Sequence, residues 1–184
     1  MDRAFWDQLW EQTLREHGDK IAGKAPNAWL VAELATAAPG RALDAGCGHG
    51  AESLWLAAHG WRVTAVDFSA AALAQGAAMA ATAGLADRID WQQGDLSTVA
   101  PAAYDLVVCL YVHLAGPSFI ARMASGVAPG GTLFMVGHQG LANQTQISVE
   151  RARAELPGWD LVIAEERPRA KGGVDAVIRA RRPA

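Results

Sequence analysis

The chain has 184 residues, of which 51% are hydrophobic and 19% are charged, and its formal net charge is −3. This composition is typical of a folded globular protein rather than a disordered one, and the length favours one domain whose core needs no covalent staples. The negative net charge argues against general electrostatic capture of nucleic acid, because that affinity depends on neutralising phosphates.

The cysteine content and the absence of long apolar runs narrow the class further. Two cysteines, Cys47 and Cys109, supply neither a disulfide framework nor a zinc-binding set, so no metal site is predicted. The first residues lack the basic-then-apolar order of a signal peptide, and no segment reaches the ~18 uninterrupted apolar residues of a membrane span. We therefore expect a cytoplasmic protein with no membrane partner.

The N-terminal region predicts helices. Residues 2–17 form an amphipathic pattern whose aromatic and leucine side chains recur at i, i+4 spacing: Phe5, Trp6, Leu9 and Trp10. Pro26-Asn27 then favours the start of a second helix over residues 28–37. Residues 1–38 are thus predicted to form a helical extension. Its tryptophans are equally compatible with core packing and with a lid over a ligand.

From residue 39 onwards, strand-like and helix-like patterns alternate. The predicted strands cover residues 42–45, 61–66, 89–92, 105–111 and 132–137. The predicted helices cover residues 51–59, 70–83 and 118–127, and Ser69 is placed to cap the second of them. This alternation implies right-handed βαβ units and a parallel sheet with helices on both faces.

The tail of the chain departs from this alternation. Residues 161–166 and 174–181 both resemble strands, and the connection between them is too short for a crossover helix. Such neighbours must be antiparallel. The predicted fold class is therefore α/β, with a seven-stranded, mostly parallel sheet, one reversed strand near its end, helices on both faces and an N-terminal helical extension.

The turn after the first strand carries the strongest functional signal. An apolar run ends in Asp44, and Gly46, Gly48 and Gly50 stand at alternate positions before the next helix. Glycine adopts positive φ without penalty and has no Cβ, so a ligand can lie directly against the backbone. The N-terminus of the following helix adds unpaired N–H groups and partial positive charge. This combination suits a nucleotide-like or adenosyl ligand.

The spacing of this turn leaves two cofactors open. Gly46-x-Gly48-x-x-Ala51 also satisfies the alanine variant of the dinucleotide fingerprint, with Asp67 at the distance of a ribose-binding acid. S-adenosylmethionine is favoured over NAD because Asp44 would repel a pyrophosphate but attract an ammonium group. Asp95, after the third strand, can also accept from an adenine amino group. A nicotinamide-dependent reductase is the lesser alternative, since the Tyr-x-x-x-Lys pair of such enzymes is missing.

These motifs together resemble the class I S-adenosylmethionine-dependent methyltransferases. The motifs, in chain order, are residues 44–50, 66–69, 94–96, 104–108 and 128–133. The resemblance covers nearly the whole chain and implies a Rossmann-like core over residues 39–184 within a single domain, 1–184. The segment Trp6–Trp10, residues 23–27 and the short length are similar to small bacterial methyltransferases of the tellurite-resistance and thiopurine-methyltransferase-like group.

The resemblance also implies roles for individual residues. Asp44 would order the methionine amino group, Asp67 would bind both ribose hydroxyls, and Asp95 with the Leu96 backbone would read adenine. The residues expected to bind S-adenosylmethionine are Asp44, Gly46, Cys47, Gly48, Asp67, Phe68, Ser69, Gly94, Asp95, Leu96 and Leu110. His49, inside the turn, is expected to face solvent or a carboxylate of the cofactor. A non-catalytic cofactor-binding protein remains the main alternative to an enzyme.

The candidate catalytic residues follow the fourth and fifth strands: His113, Tyr111 and His138. In-line methyl transfer needs a general base only when the acceptor must lose a proton. His113 is the preferred base and His138 the second, and a histidine that merely satisfies loop backbone groups is the alternative for both. Tyr111 is expected to pack against the cofactor, since its unperturbed pKa is high.

The expected acceptor is a small molecule carrying a thiol or chalcogen, a hydroxyl or an amine. The motif that follows the fourth strand in amino-methylating nucleic-acid enzymes is missing, and Leu110-Tyr111-Val112-His113 stands in its place. No nucleic-acid partner is therefore expected, and the protein is predicted to be a monomer or a homodimer.

Overall fold

The structure is a computed structural model that describes residues 3–96, 103–112, 118–139, 147–169 and 172–184. Within the first helix, the side chains of Arg3, Ala4, Trp6, Asp19, Lys20 and Ala22 fall outside the description, so the prediction for Trp6 does too. The chain divides into two compact units, residues 1–99 and 100–184. The prediction of a single domain with a lid over residues 1–38 stays a prediction.

The first unit is an alternation of helices and parallel strands. Its elements are α1 (Arg3–Ala22), α2 (Ala28–Leu34), β1 (Arg41–Ala45), α3 (Ala51–Ala58), β2 (Arg62–Asp67), α4 (Ala70–Thr82), a 3₁₀ helix (Ala86–Arg88) and β3 (Ile89–Gln93). β2 pairs in parallel with β1 on one side and with β3 on the other. Residues 42–45 of β1 are all buried, as expected of a strand covered on both faces.

The two N-terminal helices differ in length from their predictions. α1 continues to Ala22 rather than ending at residue 17, because the backbone kinks at His17 (φ −139°, ψ 22°) and the helix then resumes. α2 ends at Leu34, earlier than predicted, but it begins where the sequence indicates. Asn27 caps it, since its side-chain oxygen accepts from the amides of Trp29 (2.9 Å) and Leu30 (3.1 Å).

The second unit contains the reversed strand. Its elements are β4 (Tyr104–Leu110), α5 (Phe119–Ser125), β5 (Val127–His138), α6 (Val149–Glu155), β6 (Asp160–Pro168) and β7 (Val174–Arg181). β4 and β5 are parallel, whereas β7 runs antiparallel to both β5 and β6. The antiparallel pairing predicted from the short connection between the last two strands is therefore confirmed.

The strand order across the sheet is β3-β2-β1-β4-β5-β7-β6. This order confirms the predicted fold class, a Rossmann-like sheet of seven strands that is mostly parallel and has one reversed strand near its end. α6 was not predicted. It is short and polar, and Ser148 caps it by accepting from the Arg151 amide at 3.2 Å.

The start of β5 corrects the prediction for residues 118–131. The sequence predicts a helix to residue 127 and a turn at Pro129-Gly130-Gly131, but α5 ends at Ser125 and the strand begins at Val127. Tyr104 pairs with Val127 while Leu106 pairs with Thr132, so the proline and glycines form an irregularity inside the strand. Gly130 has φ +74°, which a glycine adopts without strain.

In the part of the chain that the structure describes, no helix combines the length and apolarity that crossing a membrane requires.

A pair of helical glycines tests the packing of α4. A Cβ on Gly76 would lie 2.5 Å from Trp91 Cη2 and 2.8 Å from the backbone oxygen of His49. Gly76→Ala should therefore lower the free energy of unfolding by about 1–3 kcal/mol, measured by urea denaturation. Gly18→Ala in α1 is the matched control, because no atom of the described residues lies within 4 Å of its Cβ position. That change should raise stability by up to about 1 kcal/mol, from helix propensity alone. Equal effects of the two changes would contradict this packing.

Candidate functional site

The glycine turn is shaped by left-handed backbone conformations at alternate residues. Gly46, Gly48 and Gly50 have φ values of +78°, +54° and +79°. The amides of Gly46 and Cys47 both donate to the carbonyl of Val66, at 2.8 and 3.0 Å, which binds the turn to the end of β2. Because side-chain-bearing residues are strained at such φ values, glycine at these positions fixes the path of the chain.

Asp67, the last residue of β2, fastens the turn from its other side. Its carboxylate accepts from the Gly48 amide at 2.8 Å and from the Ser69 amide at 3.0 Å. Partial burial raises the pKa of Asp67, and the backbone hydrogen bonds oppose that rise. A carboxylate offers about four lone-pair sites, so Asp67 keeps the capacity to accept from further donors such as hydroxyl groups.

Asp44 is a buried acid beneath the turn. It is 2% exposed, and Ser53 Oγ donates to its Oδ2 at 2.6 Å. Burial raises the pKa of Asp44 from 3.8 to about 7, and the negative charges of Glu52 and Asp67 add to this rise. The hydrogen bond from Ser53 opposes it. An electrostatic environment of this kind favours a cationic group such as an ammonium.

The end of β3 lies beside Asp67. The Gly94 amide donates to the backbone oxygen of Asp67 at 3.0 Å, and Gln93 Nε2 donates to that of Phe68 at 2.9 Å. Of the predicted adenine-binding residues, Asp95 is exposed and Leu96 is buried. The structure thus brings together the predicted residues that follow β1, β2 and β3.

Ser69 and Cys47 have local roles in the turn region. Ser69 caps α4 as predicted, since its Oγ accepts from the Ala72 amide at 3.3 Å. Burial, together with the charges of Asp44 and Asp67, raises the pKa of the Cys47 thiol well above its usual value. Cys47 is therefore a small buried residue rather than a nucleophile. The predicted contacts of both residues with a cofactor stay predictions.

Trp10 of α1 covers the glycine turn. A Cβ on Gly48 would lie 2.6 Å from Trp10 Cζ2, so the indole rests directly on this glycine. Its ring centroid is 5.5 Å from that of His49. His49 is 4% exposed, which rules out the expected solvent-facing position, and its buried Nε2 has no hydrogen-bond partner among the described residues. Burial, assisted by the charge of Lys24, lowers the pKa of His49 to about 4 and keeps it neutral.

A second group of polar side chains lies in the unit formed by residues 100–184. Asp175 of β7 is fully buried, and it stands opposite His138, the last residue of β5. Asp175 Oδ1 lies 2.9 Å from His138 Nδ1, and Tyr111 Oη donates to Asp175 Oδ2 at 2.8 Å. The Tyr111 and His138 rings are 4.4 Å apart. Arg169 Nε lies 3.3 Å from Asp175 Oδ1, an ion pair whose angle does not make a hydrogen bond.

Tyr111 adopts a rare backbone conformation at the carboxyl end of β4. Its φ is +55°, and its amide donates to the Val136 carbonyl of β5 at 2.8 Å. Left-handed backbone at a bulky residue costs on the order of 1–3 kcal/mol and is concentrated at functional sites. The structure thus brings two of the predicted catalytic residues, Tyr111 and His138, into one cluster.

The remaining predictions have separate outcomes. His113 lies outside the described residues, and Leu110 is the half-buried last residue of β4. Sequence reasoning missed Ser53, Asp175 and Arg169. An acid at the start of an otherwise apolar strand was the available signal for Asp175.

Among the described residues, no group of three or more His, Cys, Asp or Glu side chains could hold a metal ion.

Comparisons with known proteins agree with this architecture. A family model described as "Methyltransferase domain" matches residues 42–131. The chain is 35% identical over 117 residues to the ribosomal RNA small subunit methyltransferase C of Alcanivorax borkumensis, covering 56% of this chain and 34% of that protein. The curated relatives that it matches are longer proteins, of which it spans between 30% and 47%.

Solved structures are similar over nearly the whole chain. Magnesium protoporphyrin IX methyltransferase (ChlM) of Synechocystis PCC 6803, crystallised with bound SAH, superposes with a TM-score of 0.74 at 19% identity, covering 98% of this chain and all of that one (100%). TehB of Haemophilus influenzae gives a TM-score of 0.74 at 18% identity, covering 92% of this chain and 65% of that one. The fold is thus that of a Rossmann-like methyltransferase. Together with the match of residues 42–131 to the methyltransferase domain family, this fold supports a class I S-adenosylmethionine-dependent methyltransferase.

The raised pKa of Asp44 predicts a pH-dependent stability difference. Between pH 3.8 and about 7 the folded protein keeps a proton on Asp44 that the unfolded chain has released, so this group destabilises the fold increasingly as the pH rises through that range. Asp44→Asn should therefore be more stable than the wild type by about 1–4 kcal/mol at pH 8, and the difference should shrink towards pH 4. Urea denaturation at both pH values measures it.

The exposed Asp90 of β3 provides the control for this measurement. Asp90→Asn should show no comparable dependence of its stability difference on pH, because this side chain is exposed. A stability gain of Asp44→Asn that is the same at pH 4 and pH 8 would refute the assigned pKa.

Proposed function

We propose that this protein binds S-adenosylmethionine at the glycine turn and transfers its methyl group to a small molecule by in-line displacement. The observation that carries the proposal is the hydrogen bond from the Gly48 amide to Asp67, an acid whose charge also acts on the buried Asp44. The proposed cofactor-binding residues are Asp44, Gly46, Cys47, Gly48, Asp67, Phe68, Ser69, Gly94, Asp95, Leu96 and Leu110.

The chemistry of the turn supports an adenosylmethionine ligand over a dinucleotide. Asp44, Glu52 and Asp67 place negative charge together, and a cationic amino group would relieve the repulsion that raises the pKa of Asp44. A pyrophosphate at the same place would add to that repulsion. Asp67 supports the proposal further, because a carboxylate at the end of β2 suits a pair of ribose hydroxyls.

The proposed catalytic residues are His138 and Tyr111, with His113 retained from the sequence. Tyr111 and His138 stand at the carboxyl ends of the parallel strands β4 and β5, the edge at which open α/β sheets bind their ligands. Positioning a nucleophile in line with the methyl carbon can lower the barrier by roughly 7–11 kcal/mol. A general base is added to this only for acceptors that must lose a proton.

A small-molecule acceptor is supported by the net charge of −3, since RNA binding relies on basic residues. The name of ChlM also points to a small acceptor in a protein of similar length. The ribosomal RNA methyltransferase among the relatives points to RNA as the competing class of acceptor. Methyl transfer to ribosomal RNA in place of small molecules would favour that class. We further propose a cytoplasmic location and a monomeric or homodimeric state.

Cofactor binding is tested by replacing Asp67. Asp67→Ala removes the acceptor for the Gly48 amide and for the proposed ribose hydroxyls, so affinity for S-adenosylhomocysteine should fall at least about tenfold in a calorimetric titration. Asp87→Ala, an exposed acid of the 3₁₀ helix, should leave the affinity unchanged. Tight NADH binding without S-adenosylhomocysteine binding would instead favour the reductase alternative. Binding without any methyl transfer would favour a non-catalytic binding protein.

We also propose that α1 acts as a lid on this site. The missing Cβ of Gly48 leaves room for a ligand against the backbone, and the indole of Trp10 lies in that space. A cofactor that approaches Gly48 must therefore displace Trp10 or share the space with it.

The lid proposal predicts a fluorescence change that depends on Trp10. Adding S-adenosylhomocysteine should change the tryptophan emission of the wild type, because the surroundings of Trp10 change on binding. Trp10→Phe should abolish most of this change while binding persists in calorimetry. Trp159→Phe, in the other unit, should retain it. An identical fluorescence response in wild type and Trp10→Phe would rule out movement of Trp10.

A further inference from the structure

We infer that Asp175 is a positioning residue for His138 and that the methyl acceptor is a hydroxyl group whose proton passes to His138. This inference rests on the proposed methyl transfer and narrows its acceptor class. It is carried by the geometry of the cluster formed by Tyr111, His138, Asp175 and Arg169, here named the Asp175 cluster.

The carboxylate fixes the tautomer of the imidazole. Asp175 Oδ1 lies 2.9 Å from His138 Nδ1, and an ionised carboxylate can only accept hydrogen bonds. The proton of neutral His138 is therefore on Nδ1, which places the ring lone pair on Nε2. The same arrangement of a buried carboxylate behind an imidazole orients general bases in hydrolases of unrelated folds.

The carboxylate itself is held from several directions. Tyr111 Oη donates to Oδ2 at 2.8 Å, while Arg169 Nε lies 3.3 Å from Oδ1. Tyr111 follows β4, His138 ends β5, Asp175 lies on β7 and Arg169 follows β6, so all four strands of this unit contribute to the cluster. These contacts restrain the Asp175 carboxylate, and through its contact with Nδ1 they restrain the orientation of the His138 ring.

Asp175 is a charged residue at the start of an otherwise apolar stretch of β7. Asp175 is followed on β7 by Ala176, Val177 and Ile178, all of them fully buried (0% exposed), and an apolar residue would suit its position without a desolvation cost. A buried carboxylate that binds a histidine and a tyrosine at the carboxyl ends of parallel strands therefore indicates chemistry rather than packing.

The acceptor classes differ in how much a positioned general base would help their methylation. Thiols have an unperturbed pKa near ~8.5 and supply a reactive thiolate fraction at neutral pH without help. Aliphatic and phenolic hydroxyls do not, since even a phenol titrates near pH ~10. A built Asp–His pair is therefore of most use to a hydroxyl acceptor.

Methyl transfer to a hydroxyl group breaks one bond on the acceptor and one on the methyl donor. The acceptor O–H bond breaks and its proton goes to His138 Nε2, while an electron pair on that oxygen forms the new bond to the methyl carbon. The methyl–sulfur bond breaks with its electron pair left on sulfur, which yields S-adenosylhomocysteine. The resulting imidazolium is stabilised by Asp175 and then releases its proton to solvent.

The first test measures the tautomer and needs no acceptor. In ¹⁵N-histidine NMR of the wild-type protein, His138 should carry its proton on Nδ1. Asp175→Asn should shift the population towards the Nε2-protonated form, whereas Asp160→Asn, an exposed acid of β6, should leave it unchanged. An Nε2-protonated His138 in the wild type would overturn the inference.

The second test compares matched acceptors with methyl-labelled S-adenosylmethionine: 2-naphthol, 2-naphthalenethiol and 2-naphthylamine. The wild type should methylate 2-naphthol. Asp175→Asn and His138→Gln should each lower kcat for it on the order of 10²-fold, with little change in KM. Thermal unfolding and S-adenosylhomocysteine titration check that both variants fold and bind.

The outcomes separate this inference from the proposed function. Equal losses on naphthol and thiol, transfer to the thiol or amine alone, or transfer to none of the probes with binding intact would each overturn the hydroxyl assignment. If the wild-type protein does not bind S-adenosylhomocysteine, the proposed function is overturned instead. The NMR measurement would still show whether Asp175 sets the tautomer of His138. If Asp175→Asn fails to fold, His138→Gln carries the kinetic test.

Discussion

The hydrogen bond between the Gly48 amide and Asp67 is the interaction on which the glycine turn of the first unit depends. It can form only because Gly48 has a left-handed backbone and because the amides of Gly46 and Cys47 already bind the turn to Val66. The same acid then orients the start of α4 through the Ser69 amide. One carboxylate thus connects the ends of β1 and β2 to the helix that follows, and a ligand that binds Asp67 contacts the point where these elements meet.

Among the described residues, the two buried acids Asp44 and Asp175 are stabilised in opposite ways. Asp44 accepts from the hydroxyl and the backbone amide of Ser53, but burial and the charges of neighbouring acids disfavour its charged form, so its pKa rises to about 7. Asp175 is surrounded by donors and lies beside Arg169. The negative charge around Asp44 would favour a bound cation, whereas Asp175 already has cationic and hydrogen-bonding partners within the chain. This difference supports a binding role for Asp44 and a positioning role for Asp175.

Local signals were sufficient to predict most of the fold. Glycines, caps and apolar periodicity located β1, α3, β2 and α4, and a short connection was enough to predict the antiparallel tail. α6 escaped prediction because its apolar pattern is too short to stand out, and the irregularity in β5 depends on pairing with β4. The candidate site shows the same difference between local signals and features that depend on strand pairing. The turn around Gly48 could be read locally, but the approach of Asp175 to His138 depends on strand register, which composition does not encode.

The glycines of the turn are not equivalent, and their neighbours separate packing from binding. Gly50 lies against Trp91, and so does Gly76 of α4, so packing around one indole explains the lack of a side chain at both. Gly48 lies instead against Trp10, which belongs to a helix at the N-terminus rather than to the sheet. The Trp10 ring lies beside His49 Nε2, which has no hydrogen-bond partner in the part of the chain that the structure describes, and the ring cannot supply one from its face. A ligand that reached Gly48 and supplied a hydrogen-bond donor to His49 would remove that deficit, which gives the displacement of Trp10 a favourable contribution.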